Sequence, residues 1–563
     1  MLGETMLSYV SGTSDEPLLY QTIGAALEQA AQRWPHRDAL IAPRQNVRWT
    51  WRELNDAANR FASGLLSLGL QPGDRVGIWS PNRVEWVVTQ FATAKAGLIL
   101  VNINPAYRLA ELEFAVNKVG CAALVLAPSF KSSNYVDMIQ KLAPELLYCD
   151  PRNLQLSAFP KLRSLILLGT EIPGGFLSYD ALTTDCANAR ALQELAAALQ
   201  PEDPINIQFT SGTTGLPKGA TLTHHNIVNN GYFVARRQCL TENDRLCIPV
   251  PLYHCFGMVM GVLGCTTHGA AMIFPSEGFD PLAVLQAVDA ERCTALYGVP
   301  TMFIAELDHP EFRSFDLGAL RTGVMAGAPC PIEVMKRVVA QMHMREVTIC
   351  YGMTETSPVS FQSRSDDNVE RRVSTVGTIH PHLEVKIVDE AGRVVPIGAR
   401  GELLTRGYSV MQGYWDDPQK TSEVIDAQGW MHTGDLATLD EAGYCNIVGR
   451  VKDLIIRGGE NISPREIEEF LYRYPKVQDV QVFGIPDARY GEAVCAWIKL
   501  KETEACDADD VRRFCANQIA HYKVPQHIRF VSEFPMTVTG KIQKFIMRER
   551  MIEELELAID KTA

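Results

Sequence analysis

Along the first two hundred residues, apolar positions switch repeatedly between two periods. Leu27, Ala30, Ala31 and Trp34 recur at helical spacing, which predicts an amphipathic helix over 27–34. Arg75-Val-Gly-Ile-Trp79 reads as a strand closed by the turn Ser80-Pro-Asn82. A helical pattern from Val84 to Ala96 follows, and Leu98-Ile-Leu-Val101 reads as the next strand. Such alternation predicts a layered α/β architecture with largely parallel strands, and it continues to about residue 400.

From Gly401 the predicted strands are shorter. Gly449 to Gly459 then carries Arg450, Lys452, Asp453 and Arg457 beside a glycine pair. Ser463-Pro-Arg-Glu466 has the spacing of a capping box, with Ser463 at N-cap, Pro464 at N1 and Glu466 at N3. Ile467, Phe470 and Leu471 supply the apolar stripe of the helix it would start. Val480 and Val482, then Val494, Ala496, Ile498 and Leu500, alternate as strands, and Val511, Phe514, Cys515 and Ile519 fit a helix. The expected organisation is a large N-terminal domain of layered α/β subdomains over 1–449, a hinge at 450–453 and a small α+β domain over 454–563.

A chain of 563 residues exceeds what one hydrophobic core supports, in keeping with more than one domain. The net charge of −13 offers no basic surface for nucleic acid. Fourteen cysteines without a C-x-x-C pair argue against zinc and against a disulfide framework; they fit buried small hydrophobes in a reducing cytosol. Met1 to Tyr20 shows neither an apolar signal core nor the arginines of a transit peptide, so a cytoplasmic location is expected. The uncharged segment between Arg245 and Glu277 is interrupted by Pro249, Pro251, His254, His268 and glycines. It reads as a buried strand-loop-helix-strand passage rather than a membrane span.

The candidate chemistry begins at Thr210-Ser-Gly-Thr-Thr-Gly-Leu-Pro-Lys-Gly219. Its glycines allow backbone N–H groups to approach an anion, its hydroxyls add donors and Lys218 adds a positive charge. Ile205, Ile207 and Phe209 alternate with Asn206 and Gln208 before it, the pattern of a half-buried strand. It is not a Walker A loop: Pro217 stands where that motif needs glycine, and Gly219 where it needs Ser or Thr. Tyr351-Gly-Met-Thr-Glu355 follows Val347-Thr-Ile-Cys350 and so sits at a strand end. Its aromatic face can stack on a purine and its carboxylate can hold Mg²⁺. Trp430-Met-His-Thr-Gly-Asp435 places a carboxylate after a tight turn, within reach of two ribose hydroxyls, and Arg450 could reach the same ribose. Pro535-Met-Thr-Val-Thr-Gly-Lys541 closes the last loop before a charged helix. Each motif alone is weak.

Their order and separation are not. The chain resembles the adenylate-forming acyl-CoA synthetases, relatives of luciferase and of peptide-synthetase adenylation domains, from about Pro17 to Arg550. Pro251-Leu-Tyr-His254, Gly327-Ala-Pro329 and Arg457-Gly-Gly-Glu-Asn-Ile462 fit the same pattern. Val101 to Tyr107 and Gly540 to Phe545 look like the medium-chain fatty acyl-CoA branch. The resemblance implies that a carboxylate attacks the α-phosphorus of ATP and that coenzyme A then displaces AMP. It implies that Thr210, Ser211, Gly212, Thr213, Thr214, Gly215 and Lys218 hold the β- and γ-phosphates, Glu355 holds Mg²⁺ and Thr354 contacts the α-phosphate. Lys541 would bridge the acid and the α-phosphate, where charge develops. Tyr351 would stack on adenine, Gly327 and Ala328 would line its edge, and Asp435 with Arg450 would fix the ribose. Lys452 matches the hinge about which family members rotate the small domain, and Gly458 and Gly459 match the edge of the pantetheine tunnel. His254 would stand where acyl group and thiol meet, or be a satisfied histidine in a buried loop. The acyl pocket would be drawn from 253–260, 299–303 and 323–325, apolar stretches with Met258, Met260 and Met325 able to adapt. No charge there suits an amino acid, so an aliphatic acid of medium length is expected. Aromatic, branched or terpenoid acids stay open, as do transfer to a carrier protein, a homodimer and peripheral membrane contact.

Overall fold

The computed structural model describes residues 6–557 apart from 185–187, 211–216, 329, 451–452, 458–459, 488, 503, 517, 537–541 and 556. Two large sheets organise the N-terminal part. In one, Ser164–Leu167, Ala123–Leu126, Arg75–Trp79, Ile99–Asn102 and Pro204–Thr210 run parallel, and Lys218–Thr223 and Gly413–Tyr414 add antiparallel strands at one edge. In the other, the parallel centre is Glu346–Gly352, Thr322–Ala326, Ala295–Gly298, Arg245–Cys247, Ala271–Ile273 and Asp38–Ala42.

The period-2 alternation of the strands decides the layering. Val76, Ile78, Leu100, Ala123 and Val125 of the first sheet share one core with Leu40, Met272, Ala295, Tyr297 and Val324 of the second, and helices Trp51–Ser67, Val84–Lys95 and His224–Arg237 fill the space between. The intervening residues Trp79, Ile99, Val101, Leu124 and Leu126 face a separate outer core. Cys247, Ile273, Leu296, Met325 and Val347 face another on the far side of the second sheet. The result is a helix-sheet-helix-sheet-helix stack. The expected α/β class, the strand Arg75–Trp79 and the helix Val84–Lys95 are all present. Two of the central helices start at capping boxes, Thr50 with Glu53 and Thr223 with Asn226.

A third, antiparallel sheet of Tyr9–Ser11, Leu383–Val388, Gly401–Gly407, Met431–Leu439 and Cys445–Arg450 packs beside this stack. Beyond it, Ile455–Arg457, Glu460–Ile462, Val477–Asp487, Gly491–Leu500 and His527–Phe530 form a sheet of their own with helices Pro464–Leu471, Ala508–Cys515 and Lys544–Glu554.

Three local expectations need correction. The capping box at Ser463 does not form: the Ser463 hydroxyl donates to the Val448 carbonyl at 2.5 Å, and Glu466 pairs with Lys523 at 2.5 Å. The helix through Val511 ends at Cys515, because Ala516 turns to extended backbone before Ile519 is reached. Asn206 and Gln208, expected on an exposed face, are buried because helices cover both faces of that strand. Among the described residues no helix is long and apolar enough to cross a membrane. The uncharged segment is the strand Arg245–Cys247, a π-helix Phe256–Leu263 continuing as Gly264–His268, and the strand Ala271–Ile273.

Candidate active site

The three N-terminal sheets bring their functional strand ends together. Thr210 ends the strand Pro204–Thr210 and pairs directly with Lys218 across an antiparallel ladder. The chain on either side of the glycine loop is therefore an antiparallel strand pair, unlike a P-loop, which feeds straight into a helix. Ser211, Gly212, Thr213, Thr214 and Gly215 lie outside the described residues, but their two anchors are placed. Tyr351 ends the strand Glu346–Gly352, and Thr354 and Glu355 lie in the single helical turn Thr354–Thr356. A Cβ on Gly352 would stand 1.7 Å from the Pro358 carbonyl oxygen, to which Met353 N–H donates at 3.0 Å. Only glycine permits that fold-back, which sets Glu355 facing the hairpin.

Glu355 is buried, and its Oε1 accepts from the Thr210 hydroxyl at 3.3 Å and the Tyr414 hydroxyl at 2.9 Å. The Lys218 ammonium lies over the Tyr414 ring, 4.8 Å from its centroid, a cation–π contact. Burial first, and then the Glu355 charge, push the Tyr414 hydroxyl far above its ordinary pKa, so it stays a donor. Sequence reasoning missed Tyr414. Its signal was the run Gly413-Tyr-Trp415, an aromatic pair beside a glycine at φ +147°.

The second cluster is Tyr351, Asp435 and Arg450. The Tyr351 hydroxyl donates to Asp435 Oδ2 at 2.6 Å, and Arg450 Nε donates to Oδ1 at 3.0 Å. Burial, joined by the Asp435 charge and hydrogen bond, raises the Tyr351 hydroxyl well above its usual range. Burial lowers the Arg450 pKa, but the charges of Asp435 and Asp453 outweigh it and the net direction is up. Asp435 does not follow a tight turn as expected; it sits in a bulge of the strand Met431–Leu439, opposite Arg450 in the next strand. Gly327, at φ +87°, and Ala328 follow the strand Thr322–Ala326 at the same end of its sheet as Tyr351.

His254 is half-buried, its ring 4.3 Å from that of Tyr253. Its loop rests on a buried amide ladder. Asn102 Nδ2 donates to the Tyr253 carbonyl at 2.9 Å, Asn206 Nδ2 to Asn102 Oδ1 at 2.9 Å, and Gln208 Nε2 to Asn206 Oδ1 at 2.8 Å. Asn102 and Gln208 also reach the Met258 sulfur, each at 3.2 Å. Met258, Met260, Val299, Met302 and Val324 join one apolar core beside the π-helix, a helix type that recurs at functional sites. Met325, turned away by strand alternation, and Phe303, on the opposite face of the helix Pro300–Leu307, belong instead to the outer core and leave the expected pocket. The Tyr253 hydroxyl is buried and finds no hydrogen-bond partner among the described residues. Tyr253 borders a cleft of about 420 Å³ that Pro105, Pro251 and Met302 share with Phe534 and Met536 of the C-terminal part. Met536 bridges Ile542 across the segment that holds Lys541. Lys452, Gly458, Gly459 and Lys541 lie outside the described residues.

A buried carboxylate hydrogen-bonded to hydroxyls beside a lysine, next to a tyrosine–aspartate–arginine cluster, is the arrangement expected of a nucleotide-handling enzyme of the adenylate-forming type. The chain matches the family model of the AMP-binding enzymes over residues 27–415 and that of the AMP-binding enzyme C-terminal domain over 466–541. It belongs to that family. It is 49% identical to the mitochondrial medium-chain acyl-CoA ligase ACSF2 of Danio rerio, covering 98% of this chain and 91% of that one. It is 48% identical to YngI of Bacillus subtilis, a candidate acyl-CoA synthetase, over 96% and 99% of the two chains. Among solved structures, the anthranilate CoA ligase AuaEII with anthranoyl-AMP superposes with a TM-score of 0.83 at 26% identity, covering 97% of this chain and 99% of that one. ATP-bound MatB of Rhodopseudomonas palustris gives 0.79 at 29% identity, over 94% and 99%. Within the family the protein is an AMP-forming acyl-CoA synthetase.

Proposed function

We propose that the enzyme activates a medium-chain fatty acid as its acyl-adenylate and passes the acyl group to coenzyme A, with the residues named above in the following roles. The observation that carries this reading is the pair of joined clusters: Lys218, Tyr414, Glu355 and Thr210 on one side, and Tyr351, Asp435 and Arg450 on the other.

ATP would lie between them. Asp435 accepts the ribose hydroxyls, with Tyr351 and Arg450 orienting its two oxygens, while Tyr351 offers its face to adenine and Gly327 and Ala328 line the edge of the base. Thr354 contacts the α-phosphate. The segment from Thr210 to Gly215, with Lys218, takes the β- and γ-phosphates. Glu355, a carboxylate hydrogen-bonded to two hydroxyls, supplies the oxygen donors that fit a hard cation such as Mg²⁺, which would neutralise phosphate charge there. Two anions must meet for the acid to attack the α-phosphorus, so positioning and charge neutralisation supply most of the acceleration. Lys541 provides the charge at that point.

Thioester formation follows when the coenzyme A thiol attacks the acyl carbon and AMP leaves. The cleft bordered by Tyr253 and Met536 supports an entry for pantetheine beside His254, with rotation about 450–453 between the steps, and Gly458 and Gly459 keep the tunnel-edge role that the family resemblance implies. A medium-length aliphatic acid is supported by the uncharged cluster of Met258, Met260, Val299, Met302 and Val324, and by the medium-chain acids for which the Danio rerio relative is named. The anthranilate ligase gives an aromatic acid as second reading. A cytoplasmic, thiol-reducing setting belongs to the proposal, supported by cysteines such as Cys121, Cys255 and Cys265 used as buried apolar fillers.

The test is isotopic. Decanoate labelled with ¹⁸O in its carboxyl group, turned over with ATP and coenzyme A, is expected to leave one labelled oxygen in AMP. AMP free of label would exclude attack by the acid on the α-phosphorus.

A further inference from the structure

The bulge that carries Asp435 is held by a side chain with no role above. The strand Gly401–Gly407 pairs with Met431–Leu439 so that Glu402 faces Leu436 and Leu404 faces His432. Thr433, Gly434 and Asp435 therefore stand together opposite Leu403 alone. A bulge of this kind re-aims a side chain but strips backbone groups of their ladder partners. Here those groups are taken up locally. Gly434 N–H donates to Glu402 Oε1 at 3.2 Å, Asp435 N–H to the Thr433 hydroxyl at 3.1 Å, and the Thr433 hydroxyl to the Leu403 carbonyl at 2.7 Å. The other oxygen of the same carboxylate, Glu402 Oε2, meets His432 Nδ1 at 3.1 Å. Gly434 takes φ +70°, a conformation other residues rarely adopt, so the bulge is specified by sequence at its tip and by Glu402 at its base.

We infer that Glu402 is the positioning residue of the ribose end of the site: its carboxylate replaces the missing ladder acceptor at Gly434 and thereby fixes the direction of the Asp435 carboxylate. Glu402 touches no substrate. Its two oxygens grip the chain at His432 and at Gly434, on either side of Thr433, while Tyr351 and Arg450 hold Asp435 from the far side. Without the Glu402 acceptor the Gly434 N–H has to find water, and the three-residue bulge gains freedom where the ribose hydroxyls must be met. The inference rests on the proposed reading of Asp435 as the ribose acceptor.

The experiment compares ATP with 2′,3′-dideoxy-ATP in the adenylation half-reaction, followed as pyrophosphate release, for the unaltered enzyme and for Glu402→Ala, Glu402→Asp and Glu402→Gln. The unaltered enzyme is expected to prefer ATP by on the order of 10²-fold or more in kcat/KM, because the analogue leaves a buried carboxylate without its hydroxyl partners. Glu402→Ala should shrink that preference about ten-fold or more, by losing activity with ATP while activity with the dideoxy analogue barely moves. A variant merely less stable would lose both together. Glutamine keeps an acceptor at the same reach and should hold the preference within about three-fold of the unaltered enzyme; aspartate keeps the charge but withdraws it by one methylene, and should not. Should Glu402→Ala fail to fold, the glutamine–aspartate contrast alone decides. Full discrimination in Glu402→Ala, or discrimination kept by aspartate and lost by glutamine, overturns the inference. Equal use of both nucleotides by the unaltered enzyme removes the ribose reading of Asp435 itself, and this inference with it.

Discussion

Tyr414→Phe deletes one oxygen from the site and little else. The ring remains under Lys218, so the 4.8 Å cation–π contact survives. What is lost is the 2.9 Å hydrogen bond to Glu355 Oε1, leaving that oxygen with the longer 3.3 Å bond from Thr210. A hydrogen bond to a charged, buried partner contributes about 1.5–3 kcal/mol, more than a neutral one, because water does not replace the donor. If Glu355 acts when pyrophosphate is expelled, that energy is felt at the transition state, and kcat/KM for ATP should fall about 10- to 100-fold. Thioester formation from supplied acyl-adenylate, which involves no β- or γ-phosphate, should change by less than about three-fold. The assay is pyrophosphate release for the first step and acyl-CoA formation from synthetic acyl-adenylate for the second. Tyr414→Leu, which also removes the ring, should be slower still by a further factor of about two to five. Adenylation by Tyr414→Phe within two-fold of the unaltered enzyme, or equal losses in both steps, would refute the argument.

Three further outcomes are expected. Lys541→Ala should abolish adenylation while thioester formation from supplied acyl-adenylate persists; equal loss of both would remove the role given to that lysine. His224 is buried, and its Nδ1 accepts from Ile23 N–H at 3.1 Å, with burial lowering its pKa from 6.5 to about 3. The unfolded chain therefore takes up this proton first as pH falls. The residue's contribution is full above about 6.5 and is withdrawn between there and about 3, costing about 2 kcal/mol from pH 7 to pH 5. Urea denaturation at the two pH values should show that increment in the parent and not in His224→Asn; an equal pH dependence in both would contradict it. Met302→Ala, which opens space beside Met258 and Val299, should move the preferred acid toward longer chains by about one or two methylenes, each worth roughly 1–3 kcal/mol of discrimination. An unchanged chain-length profile would place the pocket elsewhere.

Local periodicity made the frame of this enzyme legible. Strands such as Arg75–Trp79 and helices such as Val84–Lys95 announce themselves because each element is short, regular and bounded by its own turn residues. The burial of Asn206 and Gln208 was not legible, since their partners Asn102 and Met258 lie far along the chain and only the fold reveals that both faces of the strand are covered. At Ser463 the pattern was right and its use was not: the hydroxyl found Val448 before it could cap its own helix. The chemical motifs around Tyr351, Glu355 and Asp435 were readable one by one. The groups that orient them were hidden, because Tyr414 meets Glu355 across 59 residues and Glu402 acts through a bulge that no local spacing encodes.

The most direct measurement is nucleotide product analysis with ATP, Mg²⁺, coenzyme A and a graded series of acids from acetate to palmitate, with benzoate and branched acids included. Acid-dependent AMP and pyrophosphate, with stoichiometric acyl-CoA peaking at medium chain length, is the predicted result. AMP without thioester would move the acyl acceptor to a carrier protein or an amine, and ADP as the nucleotide product would contradict the account at its centre.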